Sequence, residues 1–445
     1  MKKIYILCIV PLLVLAGCKP NVDEFEPAAG NADLSRYVAV GDNWTAGMAD
    51  GALYKSGQEN SFPNILAGQF SKAGGGEFRQ PLMVDDYGFG FPGGVLIPKP
   101  KLEMGFHPDC KGVTNLVPAF ANVEVNQANF ASVAADGPFN NISTPGLKSF
   151  YMAVAGMAQL NPYYARFASG PANRIIDEIP LANGTFFTLW LGNYDVLSYA
   201  ISGGVDPLTT IEVFTASMQA TLATLTASGA KGVIANIPDV LDAPYFHTIP
   251  YSALPLDETS AAMLNAGYAQ LNMLIKSMGS TDTLKFAPGQ NPLVIQDASL
   301  PWGIRQAKSS DLVLLSLPQD SLKCGGWGSQ KPIPASYVLD AAEIDNISTA
   351  ITNYNAVISG MATGDVVLAD MRSVMKSIYS DGTVFGNVNI TFKFVTGNFF
   401  STDGLNPTPM GSAVIAYYFI ERINEAFGAN IPQVIVSNYP AVTLP

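Results

Sequence analysis

Four short segments of the chain run almost without polar interruption and then stop at a glycine or an acidic turn. They are residues 36–40 (Arg-Tyr-Val-Ala-Val) running into Gly41, 184–191 running into Gly192, 231–237 ahead of Pro238-Asp239, and 365–368 ahead of Ala369-Asp370. Runs of four to eight apolar residues bounded by turn formers, with no polar face, predict strands buried on both sides. Helical spacing of apolar residues predicts helices over 211–227, 341–361 and 409–426, the last opened by Pro409 and carrying Ile415, Phe419 and Ile423 along one face. Strand, loop and helix in alternation predict βαβ units around a parallel sheet, so the expected class is α/β. Residues 74–100, dense in glycine, proline and aromatics, break the alternation and predict a long loop or hairpin insertion. No internal repeat or low-complexity tract is visible.

Composition narrows the functional classes. With 445 residues, 48% hydrophobic and 13% charged, the chain can fill a large core, which excludes disorder, coiled coil and collagen. Its net charge is −12 and no basic run occurs, so the electrostatic footprint of a nucleic-acid binder is missing. Only two histidines, His107 and His247, are present. That leaves little room for a zinc site or for imidazole acid/base chemistry, and Asp42, Asp195 and Asp403 are hard ligands with no histidine beside them. No metal and no cofactor are expected.

The first 17 residues read as an address. Lys2 and Lys3 form a positive start, residues 4–15 an apolar core too short to span a bilayer, and Leu15-Ala16-Gly17-Cys18 closes it. This resembles a bacterial lipoprotein signal. The resemblance implies cleavage before Cys18 and an anchor of acyl chains such as palmitate on Cys18, without a transmembrane helix. Losing two lysines with the signal takes the charge from −12 to −14. Residues 18–33 then form a tether whose Asp23, Glu24 and Glu26 resemble the signal that sends some outer-membrane lipoproteins to the cell surface; a plain solvated linker is the alternative. Cys110 and Cys324 remain as thiols in an oxidising compartment, where either a disulfide or two separate buried thiols fits. Asp282-Thr283-Leu284 and Asp320-Ser321-Leu322 resemble short acceptor motifs for O-glycosylation.

Four blocks carry the candidate chemistry. They are Gly41-Asp42-Asn43-Trp44 after the first strand, Thr144-Pro145-Gly146, Leu191-Gly192-Asn193-Tyr194-Asp195, and Ser401-Thr402-Asp403-Gly404-Leu405-Asn406 ahead of the last helix. In order and context they resemble blocks I, II, III and V of the SGNH hydrolases, the GDSL-type lipases and esterases. The resemblance spans residues 34–430. It implies a three-layer α/β/α, flavodoxin-like parallel sheet, with a large insertion at about 70–140 because 105 residues separate Gly41 from Gly146, and a C-terminal tail over 431–445.

The family's catalytic letters are changed. Asn43 stands where the family has its nucleophilic serine, Tyr194 where it has the oxyanion-hole asparagine, and Asn406 where it has the base histidine, while Asp42, Gly146 and Asp403 remain. An amide has no hydroxyl to activate and does not titrate near pH 7, so it replaces neither nucleophile nor base. Asn193 could take the oxyanion role by a one-residue slip, and Thr45 with His107 or His247 could form a relocated pair.

The expectation is a non-catalytic SGNH-fold outer-membrane lipoprotein, exposed at the cell surface, that serves as an accessory or structural subunit of an outer-membrane β-barrel complex. A transporter or the barrel-assembly machinery is the compartment's natural partner. The aromatic-rich stretch Asp85–Pro92 is either the contact surface or a cover packed over the core. Two other readings stand beside it: a surface esterase with relocated catalytic groups, and a glycan- or lipid-binding lipoprotein that uses the dead cleft.

Overall fold

The computed structural model describes residues 25–92 and 97–445. The signal segment, Cys18 and the tether acids Asp23 and Glu24 lie outside the described residues. Among the described residues no helix is long and apolar enough to cross a membrane.

Five parallel strands form the central sheet: β1 (Tyr37–Gly41), β4 (Asn141–Ser143), β5 (Phe186–Trp190), β6 (Lys231–Ala235) and β7 (Val366–Ala369), while Leu102–Pro108 (β2) and Thr114–Phe120 (β3) form a separate hairpin. In space they run β4-β1-β5-β6-β7, so the second sheet strand in the chain lies outside the first and the order reverses between β1 and β5. All five residues of β1 and of β5 are buried, which is why these segments read as unbroken apolar runs. The fold is α/β, as the alternation predicts. β4 escaped that reading because it is only three residues long, Asn-Ile-Ser, and two of the three are polar.

Helices cover both faces. On one lie α2 (Phe62–Phe70) and α7 (Pro409–Phe427), after the short α1 (Asn43–Ala46) and, ahead of α7 in the chain, α6 (Met371–Asp381); α2 and α7 press on the side chains of β5 that point their way. Trp190 meets Phe62 and Phe419 at 5.6 and 5.8 Å between ring centroids, and Phe186 meets Phe70 and Phe427 at 5.9 and 5.4 Å. Each such aromatic pair is worth about 0.5–1.5 kcal/mol beyond area burial. The other face carries α3 (Asn193–Ile201), α4 (Ile211–Thr226) and α5 (Ala341–Met361), knit by the Phe214–Tyr354 stack at 4.1 Å. Sequence caps set the ends. Asp340 and Glu343 form a reciprocal capping box at the start of α5, and Thr408 with Pro409 opens α7, which Gly428 closes at φ +59°. Residues 431–445 fold back on the body: Ile431, Val434 and Val436 are buried, and the Met410 N–H donates to the Pro440 carbonyl.

Two excursions leave the sheet. The first, between α2 and β4, carries an antiparallel hairpin of β2 (Leu102–Pro108) and β3 (Thr114–Phe120). Its base is tied to the Asp50 carbonyl by the Leu102 N–H, and its tip is held by a disulfide from Cys110 to Cys324, 214 residues apart. The second excursion, between β6 and α5, holds two small cores of its own around Leu293, Ile295 and Ile333 and around Leu264, Ile275 and Leu284. The sequence reading did not single it out.

Candidate functional site

The register of the sheet places three of the four blocks side by side. Gly41 pairs with Ser143 on one edge and with Trp190 on the other, so the loops after β1, β4 and β5 leave the sheet at one level. Strand ends at the reversal of an open α/β sheet are where such folds gather their working side chains. Gly41 has no room for a side chain, since a Cβ there would sit 2.0 Å from Thr45 Oγ1 and 2.7 Å from the Trp190 carbonyl oxygen. Gly146 sits at φ +76° and Gly192 at φ +107°, conformations open chiefly to glycine.

At the centre, the Gly146 N–H donates to Asn43 Oδ1 at 2.7 Å. Tyr194 lies against the same glycine, its ring edge and hydroxyl 3.9 to 4.0 Å from where a Gly146 Cβ would be. The Tyr194 N–H donates to Asp42 Oδ2 at 3.1 Å. Thus Asp42, Asn43, Gly146 and Tyr194 form one cluster, and the backbone donor that an oxyanion hole would offer is already engaged by a side-chain amide. Asp42 is 1% exposed, and burial pushes its carboxyl up to about 7. The Tyr194 N–H opposes the rise and the nearby Asp195 charge adds to it. Asn193 stands close enough to favour the Asp42 carboxylate, yet neither polar atom of its buried amide completes a hydrogen bond, and it makes none to Gly146.

The fourth block reaches the others through Trp44. Its Nε1 donates to the Leu405 carbonyl at 3.1 Å, and its ring packs on Trp190, Phe399 and Phe400. Beside Leu405, Asn406 donates through Nδ2 to Asp403 Oδ2 at 2.8 Å, as a base held by its orienting carboxylate would. Its Oδ1 is buried without a partner, and no hydrogen bond joins it to Asn43. Asp403 keeps some surface, but its oxygens also take the N–H groups of Gly51, Leu405 and Asn406 and the Ser401 hydroxyl. Burial raises its pKa, and the Asn406 amide and these backbone donors limit the rise.

The relocated pairs do not assemble. Thr45 Oγ1 is buried against Gly41 with no partner, His107 lies on the exposed β2, and the His247 ring nitrogen bonds the Leu241 carbonyl at 2.8 Å. Neither histidine bonds any residue of the four blocks. The three aspartates serve separate networks, Asp195 taking the Ser149 N–H and hydroxyl at 2.7 Å each, and among the described residues no group of three metal-ligating side chains occurs. A cavity of about 10 Å³ lies behind α1 and β4, whereas one of about 380 Å³, lined by Val38, Phe187 and Leu225, lies by the opposite ends of the strands. Of the two glycosylation-like motifs, Ser321 sits in a short helix near the disulfide, and the Thr283 hydroxyl is buried.

One residue the sequence reading passed over organises the site. Asp50, at φ +53°, accepts from Tyr54, from the Thr402 N–H and from the Thr402 hydroxyl, and so pins the first block's loop to the fourth. The Asp50-Gly51 pair is a turn signal that could have marked it.

No protein-family model matches the chain, and comparison with characterised proteins found no match either. What the geometry defines is an α/β domain whose strand-end loops converge on a closed centre, in which the Asn43 amide takes the Gly146 N–H and the Tyr194 ring and hydroxyl lie beside that glycine.

Proposed function

We propose that the chain is a catalytically degenerate SGNH-fold lipoprotein, anchored at the outer membrane through Cys18 and exposed at the cell surface, that serves as an accessory subunit of a β-barrel complex. The observation that carries the loss of catalysis is the bond from the Gly146 N–H to Asn43 Oδ1. It puts an amide oxygen where a developing oxyanion would need the donor, and that amide occupies the nucleophile's position as well. The flavodoxin-like strand order and the meeting of the block residues support the family reading.

The β2–β3 hairpin supports the partner. Cross-strand pairs put Leu102, Met104 and Phe106 on one face with Phe120, Pro118 and Leu116. On that face Phe106, Phe120 and Leu116 are 66%, 40% and 38% exposed, while Leu102, Met104 and Pro118 are half-buried. An apolar ribbon held rigid at base and tip is suited to protein contact, because little conformational entropy is lost on docking. It rises from the Asp50 loop at the carboxyl ends of the strands, whereas the N-terminal segment runs past Phe427 and Thr185 at the other end.

The experiment is copurification from an outer-membrane extract in mild detergent, comparing the C-terminally tagged protein with its Phe106→Ser, Leu116→Ser variant. A β-barrel protein in near-equal amount with the parent, and lost from the variant, is the expected result. A parent protein that runs alone, or a robust ester-hydrolysis rate that disappears on His247→Ala, would overturn the proposal.

A further inference from the structure

At the end of the sheet opposite the four blocks, the amino ends of β1 and β5 and the last turn of α4 leave a hollow of about 380 Å³ between them. That volume falls within the range of small-molecule pockets, about 300–1,000 Å³. Its inner wall is made of Val38, Ile179, Phe187, Leu225 and Ala230, all buried. The space is left by small residues. Ala223 and Ala227 follow one another a turn apart at the end of α4, and Gly184 precedes β5.

The wall offers little to a polar ligand. No charged side chain lines it. Both lining hydroxyls are engaged, Thr224 Oγ1 with the Ala220 carbonyl and Ser228 Oγ with the Gly184 carbonyl, and Asn183 is exposed at the rim. Apolar walls without a free, buried donor select an occupant by bulk and apolar surface alone. The hollow has room for roughly a dozen water-sized groups, which is the bulk of an alkyl chain with as many methylenes.

The N-terminal segment enters the fold at this same end. The Ala28 and Asn31 N–H groups donate to the Asn430 and Phe427 carbonyls where α7 closes. The Thr185 hydroxyl then donates to the Asp33 carbonyl, and Arg36 Nε to the carbonyl of Asn183, a residue of the hollow's rim. Cys18 stands seven residues before Phe25, where the described chain begins, and seven extended residues span about 23–25 Å.

We propose that this hollow takes one alkyl chain of the acyl groups on Cys18. The inference rests on the reading of Cys18 as the lipid anchor. Passing from a bilayer to an apolar wall, an alkyl chain exchanges one apolar surrounding for another, and the tether makes the step intramolecular. One chain held in the body while the others stay in the membrane would keep this end of the sheet against the bilayer.

Two measurements on the full-length protein test it. In the first, the host is fed a fatty acid carrying a diazirine, the purified acylated protein is irradiated, and the crosslinked peptides are mapped. Crosslinks from Cys18 to residues 179–187 or 223–230 are expected, and Ala227→Trp, whose indole fills the hollow's mouth, should lose them. In the second, Cys18→Ser, which carries no acyl group, is titrated in detergent-free buffer with 11-(dansylamino)undecanoic acid. One equivalent should bind with blue-shifted emission, and adding Ala227→Trp should remove that binding. An acylated Cys18 whose crosslinks avoid this wall, or a Cys18→Ser protein that binds no probe, overturns this inference and leaves the anchor reading standing. A Cys18 that carries no acyl group in the native host overturns both. Should Ala227→Trp fail to fold, the crosslink map of the parent protein decides the matter alone.

Discussion

Asp42→Asn isolates the electrostatic cost of the closed centre. The asparagine oxygen still accepts the Tyr194 N–H, so the hydrogen bond at 3.1 Å has a counterpart in the variant and only the ionisation is lost. Burial moves the Asp42 carboxyl from its ordinary 3.8 up to about 7 in the folded protein. At 1.36 kcal/mol per pKa unit, ionising it costs the folded state about 4 kcal/mol relative to the unfolded chain. The direction follows from proton counts. Below pH ~4 both states hold the proton and Asp42 contributes no penalty; between pH ~4 and ~7 the unfolded chain has released it while the folded chain retains it, so stability falls as pH rises. Above pH ~7 the full penalty is present. Denaturant unfolding of parent and variant at pH 4.5, 6 and 7.5 should therefore show a stability difference that grows in favour of the asparagine by up to about 4 kcal/mol. Groups such as Asp242 titrate in both proteins and cancel in the difference. A difference constant with pH would refute the reasoning, because it would mean that Asp42 is ionised in the folded state with no more difficulty than in water.

Further outcomes follow from the same geometry. Cys324→Ser should lower unfolding stability by about 2–5 kcal/mol, since the bridge closes a span of 214 residues, with the loss read by denaturant titration under oxidising conditions. Trp190→Ala should cost about 3–5 kcal/mol, because Trp44, Phe62 and Phe419 all pack on the indole and the backbone of β5 cannot collapse to fill the space. Phe106→Ser with Leu116→Ser should change stability by less than about 1 kcal/mol in a thermal melt, because both side chains already face solvent. Short-chain nitrophenyl esters should be hydrolysed no faster than in buffer, and Asn43→Ala, which frees the Gly146 N–H but adds no nucleophile, should leave that rate unchanged.

The main strands and helices could be read from the chain because their signals are local. A strand buried on both faces must be apolar throughout, as 37–41 and 186–190 are, and a helix end must satisfy its own backbone groups, as Asp340 and Thr408 do for α5 and α7. β4 gave no such signal. Three residues, two of them polar, hold a strand only because β1 offers a free edge beside them. The block residues were legible one by one, but how their side chains meet was not. Whether an Asn43 amide points to solvent, to a ligand or into the Gly146 N–H depends on a glycine 103 residues away.

The residues of the chain by themselves determined the α/β class and the principal helix boundaries, since composition and short-range periodicity suffice for each, and that positions 43 and 406 carry amides with neither hydroxyl nor imidazole. Tertiary structure alone decided that Asn43 closes the Gly146 donor, that Asp50 staples the first and fourth blocks, that Cys110 meets Cys324, and that the buried Arg166 donates to the Pro81 and Leu82 carbonyls. The physical reason is common to all four. Hydrogen bonds, disulfides and desolvation act over a few ångströms in space, and the partners they join lie too far apart along the chain for any local pattern to record them.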